Sequence, residues 1–133
     1  MAARILVIED NGPNLELVRY LLSASGHTVL MANDGVQGVA LARQERPDLI
    51  LCDLQMPALD GYGVLAQLRK DAGGFDPVIV AVTAFSMPHD RENVMTAGFN
   101  GYFSKPIEPE NFVVQIEAFL PPALRGTPPP AHS

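Results

Sequence analysis

Three short runs of apolar residues alternate with segments of helical periodicity, and this alternation constrains the fold more than any other feature. The runs lie at 5–8, 49–52 and 78–82 and consist mostly of Val, Ile and Leu. Such continuous runs are typical of strands that are buried on both faces of a parallel sheet. Weaker strands are predicted at 27–32 and 101–104. The pattern predicts an open parallel sheet with helices on both faces and right-handed crossovers.

Five helices are predicted to alternate with these strands. Each begins at a proline or near a capping Asp or Ser, and these residues are, in order, Pro13, Asp34, Asp60, Ser86 and Pro109. Apolar residues at helical spacing predict which side faces the core. In the second helix, the residues expected to point inward are Val36, Val39 and Ala40. In the third and fifth helices, they are Val64, Leu65 and Leu68, and Phe112, Val113, Ile116 and Phe119.

The bulk properties fit one globular domain and exclude several classes of protein. A length of 133 residues is that of a single domain. Net charge is −6 and the nine basic residues are scattered, so we expect no direct contact with nucleic acid, which requires a basic patch. No apolar run approaches the ~20 residues that span a bilayer, and acids directly follow the first run, unlike in a secretory signal. We therefore predict a cytoplasmic protein without membrane contact.

The chain is predicted to divide into a folded domain at 1–120 and a Pro-rich, flexible tail at 121–133. The single cysteine, Cys52, excludes an internal disulfide and is expected to be a small buried hydrophobe. The three histidines are far apart in the sequence and lack the spacing of zinc ligands. We expect them at the surface or at helix starts; they are His27, His89 and His132.

Polar side chains follow four of the five predicted strands. Glu9 and Asp10 come after the first strand, Asp53 after the third, Thr83 after the fourth and Lys105 after the fifth. In open parallel sheets, ligand sites form outside the carboxyl ends of the strands. If these four strands lie side by side, the polar groups converge on one patch. The order of residues along the chain does not itself establish that adjacency.

The chemistry of this patch points to a metal ion and a phosphoryl group. Three carboxylates held together repel one another and recruit a cation. Mg²⁺ suits best, because it needs few carboxylates, keeps water ligands and bridges to phosphate; Mn²⁺ is the alternative ion. Lys105 and Thr83 would supply positive charge and a hydrogen-bond donor to phosphoryl oxygens. One of the carboxylates would then be free to attack phosphorus as the nucleophile.

Four blocks of this sequence resemble the receiver domain of two-component response regulators. They are ILVIEDN at 5–11, DLILCDLQMPALDG at 48–61, VIVAVTA at 78–84 and GYFSKPI at 101–107. The resemblance covers residues 4–120, and the four blocks agree in order and spacing. It implies a flavodoxin-like three-layer sandwich with five helices and a five-stranded parallel sheet in the order 2-1-3-4-5.

The resemblance also implies a role for each matching residue. Asp53 corresponds to the phospho-accepting aspartate, and the ligands of Mg²⁺ would be Glu9, Asp10, Asp53 and the backbone carbonyl of Gln55. The residues expected to contact the phosphoryl group are Thr83, Ala84 and Lys105. Thr83 and Tyr102 would form the switch, although Tyr102 could instead be a half-buried aromatic of an edge strand. Pro106 would follow a cis peptide bond.

The implied function is that of a switch read by other proteins. A sensor histidine kinase or a histidine phosphotransfer protein would donate a phosphoryl group to Asp53. The face formed by helix 4, strand 5 and helix 5 would then contact a downstream protein. Such a domain catalyses only the phosphorylation and dephosphorylation of its own aspartate, and Gln55 and Phe85 would tune the rate of phosphate loss. The resemblance is consistent with a stand-alone regulator, with an intermediate in a phosphate relay, and with a receiver excised from a hybrid histidine kinase.

Three other functions are weighed against this one. A flavin-binding carrier would need a phosphate-cradling loop where Glu9 and Asp10 stand, and the two acids would repel a phosphate. A phosphohydrolase with an aspartate nucleophile would usually place a second Asp where Gln55 stands. A degenerate receiver that acts only as a scaffold would not need the intact set of site residues.

Overall fold

The computed structural model describes residues 3–70, 77–84 and 88–124. In the described chain, five parallel strands form one sheet in the order β2-β1-β3-β4-β5. The strands are β1 (Arg4–Ile8), β2 (Thr28–Ala32), β3 (Leu49–Asp53), β4 (Val78–Thr83) and β5 (Gly101–Ser104). The predicted fold and strand order are confirmed, and the two weaker strands, β2 and β5, lie at the edges.

Five α-helices alternate with the strands. They are α1 (Gly12–Ala24), α2 (Gly35–Glu45), α3 (Gly61–Arg69), α4 (Pro88–Ala97) and α5 (Pro109–Glu117). Asn11, Asp34 and Asp60 cap the first three, each accepting a hydrogen bond from the backbone N–H three residues later. The predicted cap of α4, Ser86, lies outside the described residues. None of the described helices combines the length and the apolar character that a membrane span requires.

The sheet carries a hydrophobic core on each face. Helices α1 and α5 cover one face, where Val18, Leu22, Phe112 and Ile116 pack against alternate residues of the central strands. Helices α2, α3 and α4 cover the other face, where the predicted inward residues Val64, Leu65 and Leu68 are buried. Because both faces are covered, the strands β1 and β3 are almost entirely apolar, as the sequence predicted.

The orientation of α2 differs from the prediction. Val36 is 65% exposed and Ala40 is exposed, so the expectation that both face the core is wrong. The buried residues of this helix are Gly35, Gly38, Val39 and Ala42. Gly38 packs so closely on Ile8 that a Cβ at this position would overlap the isoleucine side chain. The helix therefore turns its smallest residues, rather than its most apolar ones, toward the sheet.

The burial of His27 also corrects the prediction that it lies at the surface. Its side chain is fully buried at the start of β2. The ring nitrogen Nδ1 accepts a hydrogen bond from the backbone N–H of Ala3, at 3.0 Å. Since Nδ1 accepts, the other nitrogen, Nε2, carries the proton and donates to Oε2 of Glu117 at 2.7 Å. His27 thus joins the starts of β1 and β2 to the end of α5. The side chains of His89 and His132 lie outside the described residues.

The chain continues to pack beyond residue 120. A short 3-10 turn follows at Pro122–Leu124, and the partly buried side chain of Leu124 packs against the core beneath α1 and α5. Residues 125–133, most of the predicted tail, lie outside the described residues. The boundary between domain and tail therefore stays a prediction.

Candidate functional site

The carboxyl ends of β1, β3, β4 and β5 bring the predicted site residues to one edge of the sheet. Asp53 is the last residue of β3 and Thr83 the last residue of β4, and the two strands are paired. Glu9 directly follows β1, and its backbone N–H donates to the carbonyl of Ala32. Lys105 directly follows β5. The adjacency that the sequence left open is thus present in the fold.

Lys105 lies between the carboxylates of Glu9 and Asp53. Its ammonium nitrogen is 3.0 Å from Oε1 of Glu9 and 3.1 Å from Oδ2 of Asp53. The other oxygen of each carboxylate accepts a backbone hydrogen bond, from Asn11 at 3.3 Å for Glu9 and from Gln55 at 3.1 Å for Asp53. The loops after β1 and β3 therefore orient the two acids, and the ammonium group joins them.

Close packing beneath the site fixes the position of Asp53. The backbone N–H of Leu54 donates to the carbonyl of Val82, which extends the pairing of β3 with β4 past its last residue. A Cβ at Gly61 would lie 2.7 Å from the carbonyl oxygen of Asp53, so only glycine allows α3 to begin this close to the strand. Asp60 caps that helix. The position of Asp53 is therefore set by the backbone of two elements.

Burial and neighbouring charge change the acidity of the site residues. Burial, together with a hydrogen bond to Asp53, raises the pKa of Glu9 from 4.5 to about 7, although Lys105 partly opposes this. Burial alone would lower the pKa of Lys105, but its contacts with Glu9 and Asp53 outweigh burial and raise that pKa. Without a metal ion, Glu9 therefore holds a proton readily, whereas Lys105 stays charged.

Three carboxylates form a group that could hold a metal ion. Oxygen atoms of Glu9, Asp10 and Asp53 all lie within 4.8 Å of one another. Glu9 and Asp53 are buried, whereas Asp10 is exposed and leaves one side open to solvent. Hard divalent cations that keep several water ligands fit such an oxygen-rich, partly open site. The predicted role of the Gln55 carbonyl stays a prediction.

The remaining predicted residues line the same edge at different depths. Thr83 is fully buried and Ala84 is exposed. The carbonyl of Thr83 accepts a hydrogen bond of 2.7 Å from the backbone N–H of Lys105. Tyr102 is partly buried and packs against the core beneath α2, α3 and α4. The Lys105–Pro106 peptide bond is cis, as the resemblance implies. Phe85 lies outside the described residues.

One feature of this region was not identified from the sequence. Asn11 caps α1 and also supplies the N–H that orients Glu9, a double role which its place before Pro13 could have suggested. Cys52, buried as predicted, lies directly beneath the site in β3. Burial, together with the negative charge of Asp53, raises the pKa of its thiol far above the ordinary value, so the sulfur is held as a neutral thiol.

Comparison with protein families gives a match to the response regulator receiver domain over residues 5–117. Among curated proteins, the polar-differentiation response regulator DivK of Brucella anthropi is 38% identical over 120 residues, which cover 90% of this chain and 98% of that protein. DivK of Brucella ovis is 37% identical with the same coverage.

Solved structures agree with this assignment. Chemotaxis response regulator CheY4 of Vibrio cholerae superposes with a TM-score of 0.84 and 25% identity, covering 90% of this chain and 100% of that one. The receiver domain of sensor histidine kinase PA1611 from Pseudomonas aeruginosa has a TM-score of 0.80 and 34% identity, covering 90% and 98% of the two chains. That structure contains a magnesium ion coordinated in its active site cleft.

The family match extends over most of the chain, and the described site contains the carboxylate group and the lysine at the expected strand ends. The chain therefore belongs to the response regulator receiver domain family of two-component signalling systems.

Proposed function

We propose that Asp53 accepts a phosphoryl group from a phosphohistidine of a partner protein. The observation that carries this proposal is the contact of Lys105 with both Glu9 and Asp53 at the carboxyl edge of the sheet. One oxygen of Asp53 is held by the backbone N–H of Gln55, and the other faces the ammonium group of Lys105. The carboxylate is thus oriented, and a positive charge lies where phosphoryl oxygens would arrive.

The transfer step is a displacement at phosphorus. An oxygen of Asp53 forms a bond to the phosphorus atom as the bond from phosphorus to the histidine nitrogen breaks. The electron pair of that bond stays on the imidazole of the donor. Lys105 neutralises charge on the phosphoryl oxygens, and the buried hydroxyl group of Thr83, at the end of the adjacent strand, is the group we assign to bind the product.

Glu9, Asp10 and Asp53 are the residues that would hold Mg²⁺, with the Gln55 carbonyl as a further ligand. When bound, the ion supplies additional positive charge to the phosphoryl oxygens. The donor set supports this assignment, because three carboxylates lie within 4.8 Å of one another and the ammonium group of Lys105 contacts two of them, which leaves an excess of negative charge.

We assign the output to the face formed by α4, β5 and α5. An open groove of about 510 Å³ lies between β5 and α5 on this face. Phe103 and Phe119 contribute aromatic surface to it, Glu108 and Gln115 contribute polar groups, and Tyr102 also lines it. Since Tyr102 precedes Lys105 by three residues and lines this groove, a change at the site can alter the surface that a downstream protein contacts.

The partners we propose are a sensor histidine kinase or a histidine phosphotransfer protein. The relatives include a receiver domain that belongs to a sensor histidine kinase as well as response regulators of similar length to this chain. Both a regulatory role and a relay role are therefore consistent with the family. Rapid transfer of the phosphoryl group from Asp53 back to a histidine protein would favour the relay, and its absence would favour the regulator.

Incubation with Mg²⁺ and acetyl phosphate tests the proposal directly. The intact mass should rise by one phosphoryl group, and Asp53→Asn should abolish the increase. Asp48→Asn is the matched control, because Asp48 lies just before the same strand and accepts a hydrogen bond from the backbone N–H of Arg4 at 2.8 Å. An unchanged mass in the natural protein, or an equal increase in Asp53→Asn, would contradict the proposal.

A further inference from the structure

The described side-chain contacts of helix α4 with the rest of the domain lie toward its C-terminal end. Of its side chains described at 91–97, Val94 is buried and the others are exposed. Just after the helix, Phe99 is 3% exposed and packs edge-on against Tyr62, with ring centres 5.8 Å apart. The described apolar contacts of α4 thus lie in its second half and in the residues that follow it.

A polar network strengthens the attachment at this end. One guanidinium nitrogen of Arg69 donates to the carbonyl of Pro77 at 2.9 Å, and the other donates to Oδ1 of Asn100 at 2.9 Å. The second nitrogen also lies 3.4 Å from the carbonyl of Gly98. The planar guanidinium group therefore joins the end of α3, the start of β4 and the segment after α4.

Asn100 joins the same network to the sheet. Its Oδ1 accepts the backbone N–H of Ile79 at 2.8 Å, and its own N–H donates to the carbonyl of Ile79 at 2.8 Å. We call the side chains of Arg69 and Asn100, with these hydrogen bonds, the Arg69–Asn100 latch. To slide the C-terminal end of α4, several of these bonds would have to break together.

The latch and the site lie at opposite ends of β4. Ile79 contacts the latch, whereas Thr83 ends the strand beside Asp53. Four residues of extended strand separate them by about 13 Å. The chain enters α4 after Thr83 and leaves it at the latch, so a displacement at the site reaches the N-terminal end of the helix first.

We propose that Arg69 and Asn100 are positioning residues that hold the C-terminal end of α4 while phosphorylation of Asp53 displaces its N-terminal end. The helix then pivots about the latch instead of shifting along its whole length. This inference rests on the proposed function of Asp53. According to this proposal, the latch decides which end of α4 moves on phosphorylation. A role in stabilising the fold alone would not distinguish the two ends.

Residue-resolved hydrogen exchange of backbone amides, followed by NMR in the full chain, tests the pivot. Exchange is measured with Mg²⁺ alone and after addition of beryllofluoride, an analogue of the phosphoryl group. In the natural protein, the change on addition should be largest at 91–93 and should vanish at 98–100. In Arg69→Gln and Asn100→Ala, addition of beryllofluoride should also change the exchange rate at 98–100, by about five- to tenfold.

Two variants separate this role from general loss of stability. Asn100→Asp keeps an oxygen acceptor for Ile79 and Arg69. It should therefore keep the gradient of the natural protein, by which we mean the decrease in the beryllofluoride-induced change from 91–93 to 98–100. Arg43→Gln removes another helix-end arginine that donates to a backbone carbonyl, that of Gln67, and should also keep the gradient. The free energy of unfolding of each variant, measured with urea, shows whether any lost gradient follows stability instead of the latch.

The outcomes separate failure of the latch from failure of the proposed function. A uniform change over 91–100 in the natural protein, or an intact gradient in both Arg69→Gln and Asn100→Ala, would overturn the latch and leave Asp53 as the acceptor. Loss of the gradient in Arg43→Gln to the same extent would also overturn it. If beryllofluoride changes no amide and acetyl phosphate adds no mass, the proposed function fails, and the pivot fails with it.

Discussion

The two ends of the parallel sheet use polar residues in opposite ways. At the amino end, each of the main polar groups has a neutral or oppositely charged partner, such as His27 with Glu117 or Arg4 with Glu45. At the carboxyl end, the carboxylates of Glu9, Asp10 and Asp53 lie close together, and Lys105 contacts those of Glu9 and Asp53. Among the described residues, every buried side-chain nitrogen and oxygen has a hydrogen-bond partner at both ends. The ends therefore differ in their balance of charge and not in hydrogen bonding.

This difference distinguishes polar residues that stabilise the fold from polar residues that are suited to bind a ligand. Paired groups at the amino end hold helices and strands together and gain nothing from a ligand. The carboxylates at the other end repel one another, and that repulsion costs stability until a cation or a proton arrives. A cation bound among these carboxylates would relieve the repulsion and stabilise the folded protein. Four predictions test this contrast, from the largest expected effect to the smallest.

The two lysines of the chain lie at opposite ends of the sheet and provide the strongest test. Lys105→Ala should slow phosphorylation of Asp53 by acetyl phosphate about 100-fold, because it removes the positive charge that faces the incoming phosphoryl oxygens. Lys70→Ala removes an exposed lysine at the end of α3 and should leave the rate unchanged. The rates are measured by intact-mass spectrometry at several times. Equal rates for the two variants would remove the distinction between the ends.

Loss of His27 should destabilise the protein without affecting phosphorylation. His27→Ala leaves the buried N–H of Ala3 and the carboxylate of Glu117 without their partner, and should lower the free energy of unfolding by about 2–3 kcal/mol. Arg19→Ala breaks an exposed ion pair with Glu16 and should cost at most about 0.5 kcal/mol. Urea unfolding measures both. A loss for His27→Ala no greater than that for Arg19→Ala would show that the buried pair adds little.

Glu9→Gln, unlike His27→Ala, should stabilise the protein. At pH 8 and without metal, its free energy of unfolding should rise by about 1–2 kcal/mol. The pKa of Glu9 is raised from 4.5 to about 7, so the folded protein binds this proton more tightly than the unfolded chain does. The contribution of Glu9 to stability is therefore fully present below pH 4.5 and is lost as the pH rises toward 7. Urea unfolding from pH 4.5 to 8 should show the gap between the variant and the natural protein widening with pH. A constant gap would contradict the shifted pKa.

The smallest expected effect is stabilisation by Mg²⁺ alone. At five times its dissociation constant, Mg²⁺ should raise the free energy of unfolding at pH 8 by about 1 kcal/mol. Asp10→Asn removes one of the three carboxylates but leaves Glu9 and Asp53 in contact with Lys105, and at the same Mg²⁺ concentration its gain should be smaller. Urea unfolding with and without Mg²⁺ measures the difference. Equal stabilisation of both proteins would mean that the ion binds elsewhere.

The carboxyl end of the sheet was largely predictable from the sequence, because each of its groups lies at or just after the end of a strand. The local pattern of a strand followed by a polar residue predicts that Asp53, Thr83 and Lys105 lie at strand ends. The order of the strands then brings these three residues together. The amino end was not predictable. His27 meets partners 24 and 90 residues away, and Arg69 meets Asn100 31 residues away, with no local signal for either contact.

The orientation of α2 shows a second limit of sequence patterns. Hydrophobic spacing favoured Val36 and Ala40 as inward residues, yet Gly38 and Ala42 face the sheet. The close approach of this helix to Ile8 favours residues without a large side chain, and periodicity of apolar residues does not report helix–sheet distance. The described part of the chain thus shows where steric fit overrides hydrophobicity.

The rate at which a thiol reagent modifies the single cysteine would report how often the sheet opens beneath the site. Cys52 is fully enclosed in β3, next to Asp53, and its sulfur is kept neutral. A thiol reagent can therefore modify it only when the sheet opens at this point. We expect the labelling half-time to lengthen when a ligand tightens the carboxyl edge. Any condition that loosens the central strands should shorten it, so the unmodified chain reports its own opening rate without an engineered probe.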